Sequence, residues 1–290
     1  MVKLKENLIS KDDILEYLET YSDFSFEVKV LRYFSSIGYN CQHSGTYEDP
    51  VTGKTREFDV RAVHSKCIRE NFYINICFAI ECKNIRGNFP LVIHCMPREN
   101  DECYLDLIWS SHPASYHSIG RCIKLKGSEC PYMFQDPTGK SCDQVGRQDN
   151  KDSRIVGSDY DVFDKISQAI NSSYDLIVKG HKAYYNKNAN VVTLVVPVLV
   201  VPDDRLWTVW YSRSGEIERE PAATKNVEYF IGKKFEVKDN IGVSPSAYKL
   251  SHLEIVQISD IGNMVRKYRE LPAITDGAIL GDKLINLPDK

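Results

Sequence analysis

Phe72–Asn84, FYINICFAIECKN, is the stretch whose reading decides the fold. An apolar run with strand character ends abruptly in Glu81-Cys82-Lys83. Side chains two apart on a strand share a face, so Glu81 and Lys83 lie side by side while Ile80 and Cys82 point the other way. The tripeptide itself carries little weight, because Glu-x-Lys also occurs as Glu27-Val28-Lys29 and Glu236-Val237-Lys238. Ion pairing at a surface is the ordinary explanation for such residues. Position separates the second copy: only Glu81 closes a long apolar strand, and it follows Asp59, an acid on the preceding strand.

Working outward, Arg56–Val63 (REFDVRAV) alternates Phe58, Val60 and Ala62 with Glu57, Asp59 and Arg61, as a half-buried strand should. EDPVTGKT before it supplies the Pro, Gly and Asp of a turn, and YNCQH a short first arm, so a hairpin is expected. Further upstream, Phe26, Val30 and Phe34 recur at helical spacing beside Leu31 and end at Gly38, a C-cap residue. A short helix around Asp12–Thr20 precedes it. Downstream, residues 85–157 hold five of the nine cysteines with several Pro and Gly, and are read as an irregular insertion. Val162, Ile166 and Ile170 then form a helical stripe, with Ser158 or Asp159 available as N-cap. The apolar strand VVTLVVPVLVV (Val191–Val201) follows, then strands LWTVWYS, VEYFIGKKFEV and HLEIVQ and a closing helix. The fold class expected is α/β: a mixed sheet flanked by helices, with residues 1–202 as core and 203–290 as a β-rich extension packed on the same domain.

The composition fits a globular protein: 290 residues, 42% hydrophobic, 37 basic and 40 acidic side chains, net charge −3. Bulk charge therefore points to no nucleic acid, and any anion must be met by a local patch. The longest apolar run has eleven residues and contains Pro197, far short of the roughly 20 that cross a bilayer. The amino terminus has no apolar core of signal-peptide length, and nine cysteines favour reduced thiols. A cytoplasmic location without membrane attachment is expected.

With Asp59 on one strand and Glu81-x-Lys83 closing the next, the chain resembles the PD-(D/E)xK phosphodiesterase superfamily, the restriction-endonuclease-like nucleases. Glu27 on the first helix looks like the glutamate that completes the metal shell in many members, and Gln168 in DKISQA looks like a glutamine found in a subset. The resemblance covers about residues 20 to 200, and it departs where the proline that names the motif is Phe58. It implies Mg²⁺-dependent hydrolysis of phosphodiesters, Mn²⁺ being a possible substitute. Asp59, Glu81, the Cys82 carbonyl and Glu27 would hold the metal, Lys83 would position hydroxide or stabilise the transition state, and Gln168 would contact the backbone or the attacking water. Double-stranded DNA is the partner expected by family frequency, in restriction, phage defence or repair, with a homodimer or a separate recognition or ATPase subunit as company. The alternative is an inactive module of the same fold that binds nucleic acid or proteins.

Other features are weaker. Cys95, Cys103, Cys122, Cys130 and Cys142 with His94, His112 and His117 contain no C-x₂-C pair, so zinc is not expected. His112 and His117 near Ser110, Ser111 and Ser115 lack a G-x-S-x-G elbow and are read as loop residues. Lys179, Lys182, Lys225, Lys233 and Lys234, with Tyr184, Tyr185, Tyr229 and Phe230 interleaved, are candidate nucleic-acid contacts, though such mixtures are more often solvated faces. No G-x-x-x-x-G-K-[ST] sequence is present, so ATP hydrolysis is not expected.

Overall fold

In a computed structural model, residues 7–110, 121–149, 153–181, 189–237 and 246–275 are described. Helix α1 (Lys11–Thr20) opens on a capping box between Ser10 and Asp13 and buries none of its residues. Helix α2 (Asp23–Ser36) starts at Ser22, whose hydroxyl accepts the Ser25 N–H at 3.2 Å, and buries Phe26, Val30 and Phe34. It ends before Gly38, which at φ 87° takes the left-handed conformation expected of a cap. Strand β1 (Asn40–Glu48) leads into a turn in which Asp49 Oδ1 accepts the Val51 and Thr52 N–H groups at 2.9 Å each. Strands β2 (Thr55–Arg69) and β3 (Phe72–Cys82) complete an antiparallel unit.

The helix expected around Val162 is α3 (Tyr160–His181), and it carries the chain back to β9 (Asn190–Val201), which pairs parallel with β3 from Phe72↔Asn190 to Cys82↔Val200. Such a parallel pair needs a crossover connection, and α3 lies within it. Both strands are buried on two faces. Phe72, Ile74, Ile76, Phe78 and Ile80 join Val192, Leu194 and Val196 in a core that also takes Phe34 of α2. Cys77 and Ala79 on the opposite face join Ile166, Ile170 and Ile177 of α3. Asp59, Arg61 and Glu81 belong to the α3 face by strand parity, since Val60, Ala62 and Ile80 are in the first core.

Residues 85–157 depart from expectation. They form strands β4 (Leu91–Pro97), β5 (Leu105–Ser110), β6 (Arg121–Leu125), β7 (Pro137–Arg147) and β8 (Ile155–Ser158). The physical reason is visible in β7, PTGKSCDQVGR, whose composition argues against a strand. A Cβ at Gly139 would come within 2.7 Å of Ile93 and 2.9 Å of Tyr229, so the small residue answers close packing rather than local propensity. His112 and His117, with Ser111 and Ser115, lie outside the described residues.

The C-terminal strands β10 (Leu206–Tyr211), β11 (Ile217–Ala223), β12 (Asn226–Val237) and β13 (Ser246–Gln257) enter the same sheet, followed by α4 (Ile261–Arg269) and α5 (Pro272–Thr275). Strand β13 is parallel to β9 and β10 is parallel to β4. Among the described residues one mixed sheet of thirteen strands results, running β1-β2-β3-β9-β13-β12-β7-β4-β10-β11 with β5, β6 and β8 attached beside that path. No helix among them is long and apolar enough to cross a membrane.

Candidate active site

The antiparallel register that pairs Val60 with Ile80 places Asp59 next to Glu81 at the ends of β2 and β3. Asp59 is tethered there, because its Oδ2 accepts the Cys82 backbone N–H at 2.8 Å. The same oxygen accepts from Lys165 Nζ at 2.7 Å, and that ammonium donates again to Glu81 Oε2 at 3.0 Å. The two carboxylates therefore converge on one cation. Glu81 is fully buried, Lys165 and Asp59 are 18% and 13% exposed, and Glu81 Oε1 has no hydrogen-bond partner although it is buried.

Electrostatics follow from this burial. Desolvation and the Asp59 charge push the Glu81 carboxyl well above its ordinary range, against the pull of Lys165. Glu27 on α2 is raised for the same two reasons, burial first and Asp59 second, so it senses the site although its Oε2 is held by His43 Nε2 at 3.1 Å. The Lys165 ammonium is raised on balance: burial opposes its charge, and Glu81 and Asp59 together outweigh that effect.

The other expected residues fall into place differently. The contact that Cys82 makes is its N–H to Asp59, while its thiol is fully buried. Gln168 lies on α3 and donates to Asp164 at 2.7 Å; its side chain reaches neither Asp59 nor Glu81. Lys83 makes no ion pair among the described residues, and its side chain lines an open cleft of about 440 Å³ together with Tyr21, Asp23, Arg86, Arg147 and Asp161. Asn84 fastens the rim, its side chain donating to Thr20 O at 3.1 Å and its N–H to Asp23 at 3.1 Å.

Lys165 is the member of the site that sequence reading missed. It flanks Ile166 in the helical stripe Val162–Ile166–Ile170, so a lysine at the margin of the buried face of α3 was the available signal. Among the basic candidates, Lys179 pairs with Asp175 at 2.8 Å, Lys234 with Glu236 at 3.2 Å, and Lys233 donates to Asn171 at 3.2 Å. None of these three, nor Lys225, lines the cleft, and Lys182, Tyr184 and Tyr185 lie outside the described residues. Cys95 and Cys142 are buried in the α3-side core and Cys130 in the other.

Among the described residues no group of three or more His, Cys, Asp or Glu side chains is placed to hold a metal ion. A Mg²⁺ ion needs only one or two protein carboxylates, since it keeps several waters. The Asp59–Glu81 pair fits that demand by its chemistry: two hard oxygen donors already share a cation, and a third oxygen, Glu81 Oε1, is unpartnered. Comparison with protein-family models, with curated proteins and with solved structures gave no match.

Proposed function

We propose that the protein is a metal-dependent phosphodiesterase acting on nucleic acid. The observation that carries this reading is the convergence of Asp59 and Glu81, from adjacent strands, on a single ammonium, with Lys83, two residues beyond Glu81, lining an open cleft. The order α2, β1–β3, α3 and parallel β9 supports the restriction-endonuclease-like core expected from the motif.

In this reading Asp59 and Glu81 hold a divalent cation, with Glu27 near enough to act through water. The cation would supply Lewis-acid polarisation of the phosphate and a bound water of lowered pKa. The chain's own residues do the rest. The Cys82 N–H and the β2–β3 register hold Asp59 in place. Lys165, anchored on α3, stabilises negative charge as it builds on the phosphate, a role that preorganised cations perform well in a partly buried site. Lys83 projects into the cleft without a carboxylate partner and neutralises the bound phosphodiester.

A second reading is a non-catalytic module of the same fold, and one observation favours it: Lys165 already pairs with both carboxylates where a metal would sit. Incubation of plasmid DNA and of RNA with Mg²⁺ or Mn²⁺ separates the two. Cleavage by the wild type that is lost in Asp59→Ala, Glu81→Ala and Lys165→Ala supports the enzyme. No cleavage of either polymer by the wild type supports the module, and cleavage that survives all three substitutions refutes the site.

A further inference from the structure

We infer that the strand entering the site is single-stranded, its unpaired bases stacking in the cleft lined by Lys83, two residues beyond Glu81, in place of the duplex expected from the motif. The inference rests on the phosphodiesterase reading for the nature of the anion.

Two observations carry it. First, Lys83, Arg86 and Arg147 all line the cleft, and none has a carboxylate partner among the described residues. Arg147 donates to the Ser153 carbonyl at 3.1 Å, and the Arg86 guanidinium lies 5.2 Å from the centre of the Tyr21 ring. Against the carboxylates of Asp23 and Asp161 on the same lining, these three cations leave the depression net positive, which suits an anionic phosphate chain. Asp23 also accepts the Asn84 N–H that fastens the rim.

Second, aromatic rings share the depression with those cations. Tyr21 is 45% exposed although it has an apolar ring to bury, and Phe89 lies across the same lining. Close by, Phe24 is 60% exposed with its ring centre 5.3 Å from that of His43, the partner of Glu27. Exposed rings interleaved with cations are what an unpaired strand uses, since every base offers a face for stacking. In a duplex those faces are already stacked on one another.

The test is fluorescence anisotropy in EDTA and low salt, with labelled single-stranded DNA and RNA of roughly 16 nucleotides and a DNA duplex of the same sequence. Either single strand, or both, is expected to bind at least about ten-fold tighter than the duplex. Tyr21→Ala should weaken single-strand binding by about ten-fold, in line with stacking energies, whereas Tyr21→Phe keeps the ring and the affinity. Duplex binding as tight as that of both single strands, or unchanged affinity in Tyr21→Ala, overturns the inference. Duplex cleavage in Mg²⁺ that Asp59→Ala abolishes, without preference for single strands, would overturn it while leaving the hydrolase reading intact. Preferential single-strand binding with no hydrolysis of any polymer would uphold it and refute the hydrolase reading.

Discussion

Glu81 is held in two opposed ways, and its behaviour on substitution should show both. Burial and Asp59 raise its pKa above the ordinary 4.5, so between that value and the folded-state value the folded chain binds more protons than the unfolded one. Stability tied to this group is therefore lost as pH rises through that window. Glu81→Gln removes the charge and should melt at the same or a higher temperature than the wild type, the gap widening from about pH 5 to about pH 8. A gap that narrows with pH would contradict this sign. The same variant should not cleave. Removing the cation has the opposite effect: Lys165→Met leaves Asp59 facing a buried Glu81 and should cost about 3 kcal/mol in urea unfolding near neutral pH. Added Mg²⁺ should restore more stability to Lys165→Met than it adds to the wild type, because it replaces the missing charge. No response to Mg²⁺ in the variant would argue against a metal at this pair.

At the scale of elements, the join between β12, β13 and α4 is polar where a core would ordinarily be apolar. His252 on β13 stacks on Tyr132 with ring centres 3.8 Å apart, and Arg98 Nε approaches its Nε2 at 3.2 Å. Arg98 is fully buried, reaches the Met133 carbonyl at 2.9 Å and pairs with Glu228 of β12. Lys267 of α4 joins Glu228 and Glu254, and Tyr268 bridges Glu254 to the Tyr132 hydroxyl. Burial first, then Arg98 and Lys267, hold the His252 pKa down to about 2. The unfolded chain therefore binds an extra proton below 6.5, and stability is lost as pH falls beneath that value. The wild type should lose up to about 1.4 kcal/mol per pH unit there from this residue, and His252→Gln, neutral at every pH, should flatten the slope. Equal slopes in the two proteins would remove His252 from the account.

On the scale of the whole molecule, core and extension are not separable. Strand β13 fills the edge of β9 from Glu254↔Val198 to Gln257↔Val201, and β10 pairs with β4 along five residues. Arg98, from the segment expected to be irregular, is enclosed by side chains of β12 and β13. A fragment of residues 1–202 would expose those edges and leave Arg98 without Glu228 and His252. It is expected to aggregate or to lose the near-ultraviolet circular dichroism of the full chain, which itself should unfold in one transition. A soluble, cooperatively folding 1–202 fragment would show that the extension is dispensable.

What the sequence determined by itself was local and periodic. The stripe Phe26–Val30–Phe34, the alternation around Asp59 and the apolar runs of β3 and β9 each follow from the repeat of one element, so helix, hairpin and central strand could be read directly. Strand parity likewise put Asp59 and Glu81 on one face. Only the tertiary structure decided the cation between them: Lys165 lies 106 and 84 residues from its two partners, and its place depends on how α3 docks on β3 and β9. Strands β4 to β8 escaped for a related reason. They are short or rich in Gly and polar residues, and much of their stabilisation comes from distant partners such as β10 and β12, a contribution that no local window of sequence contains.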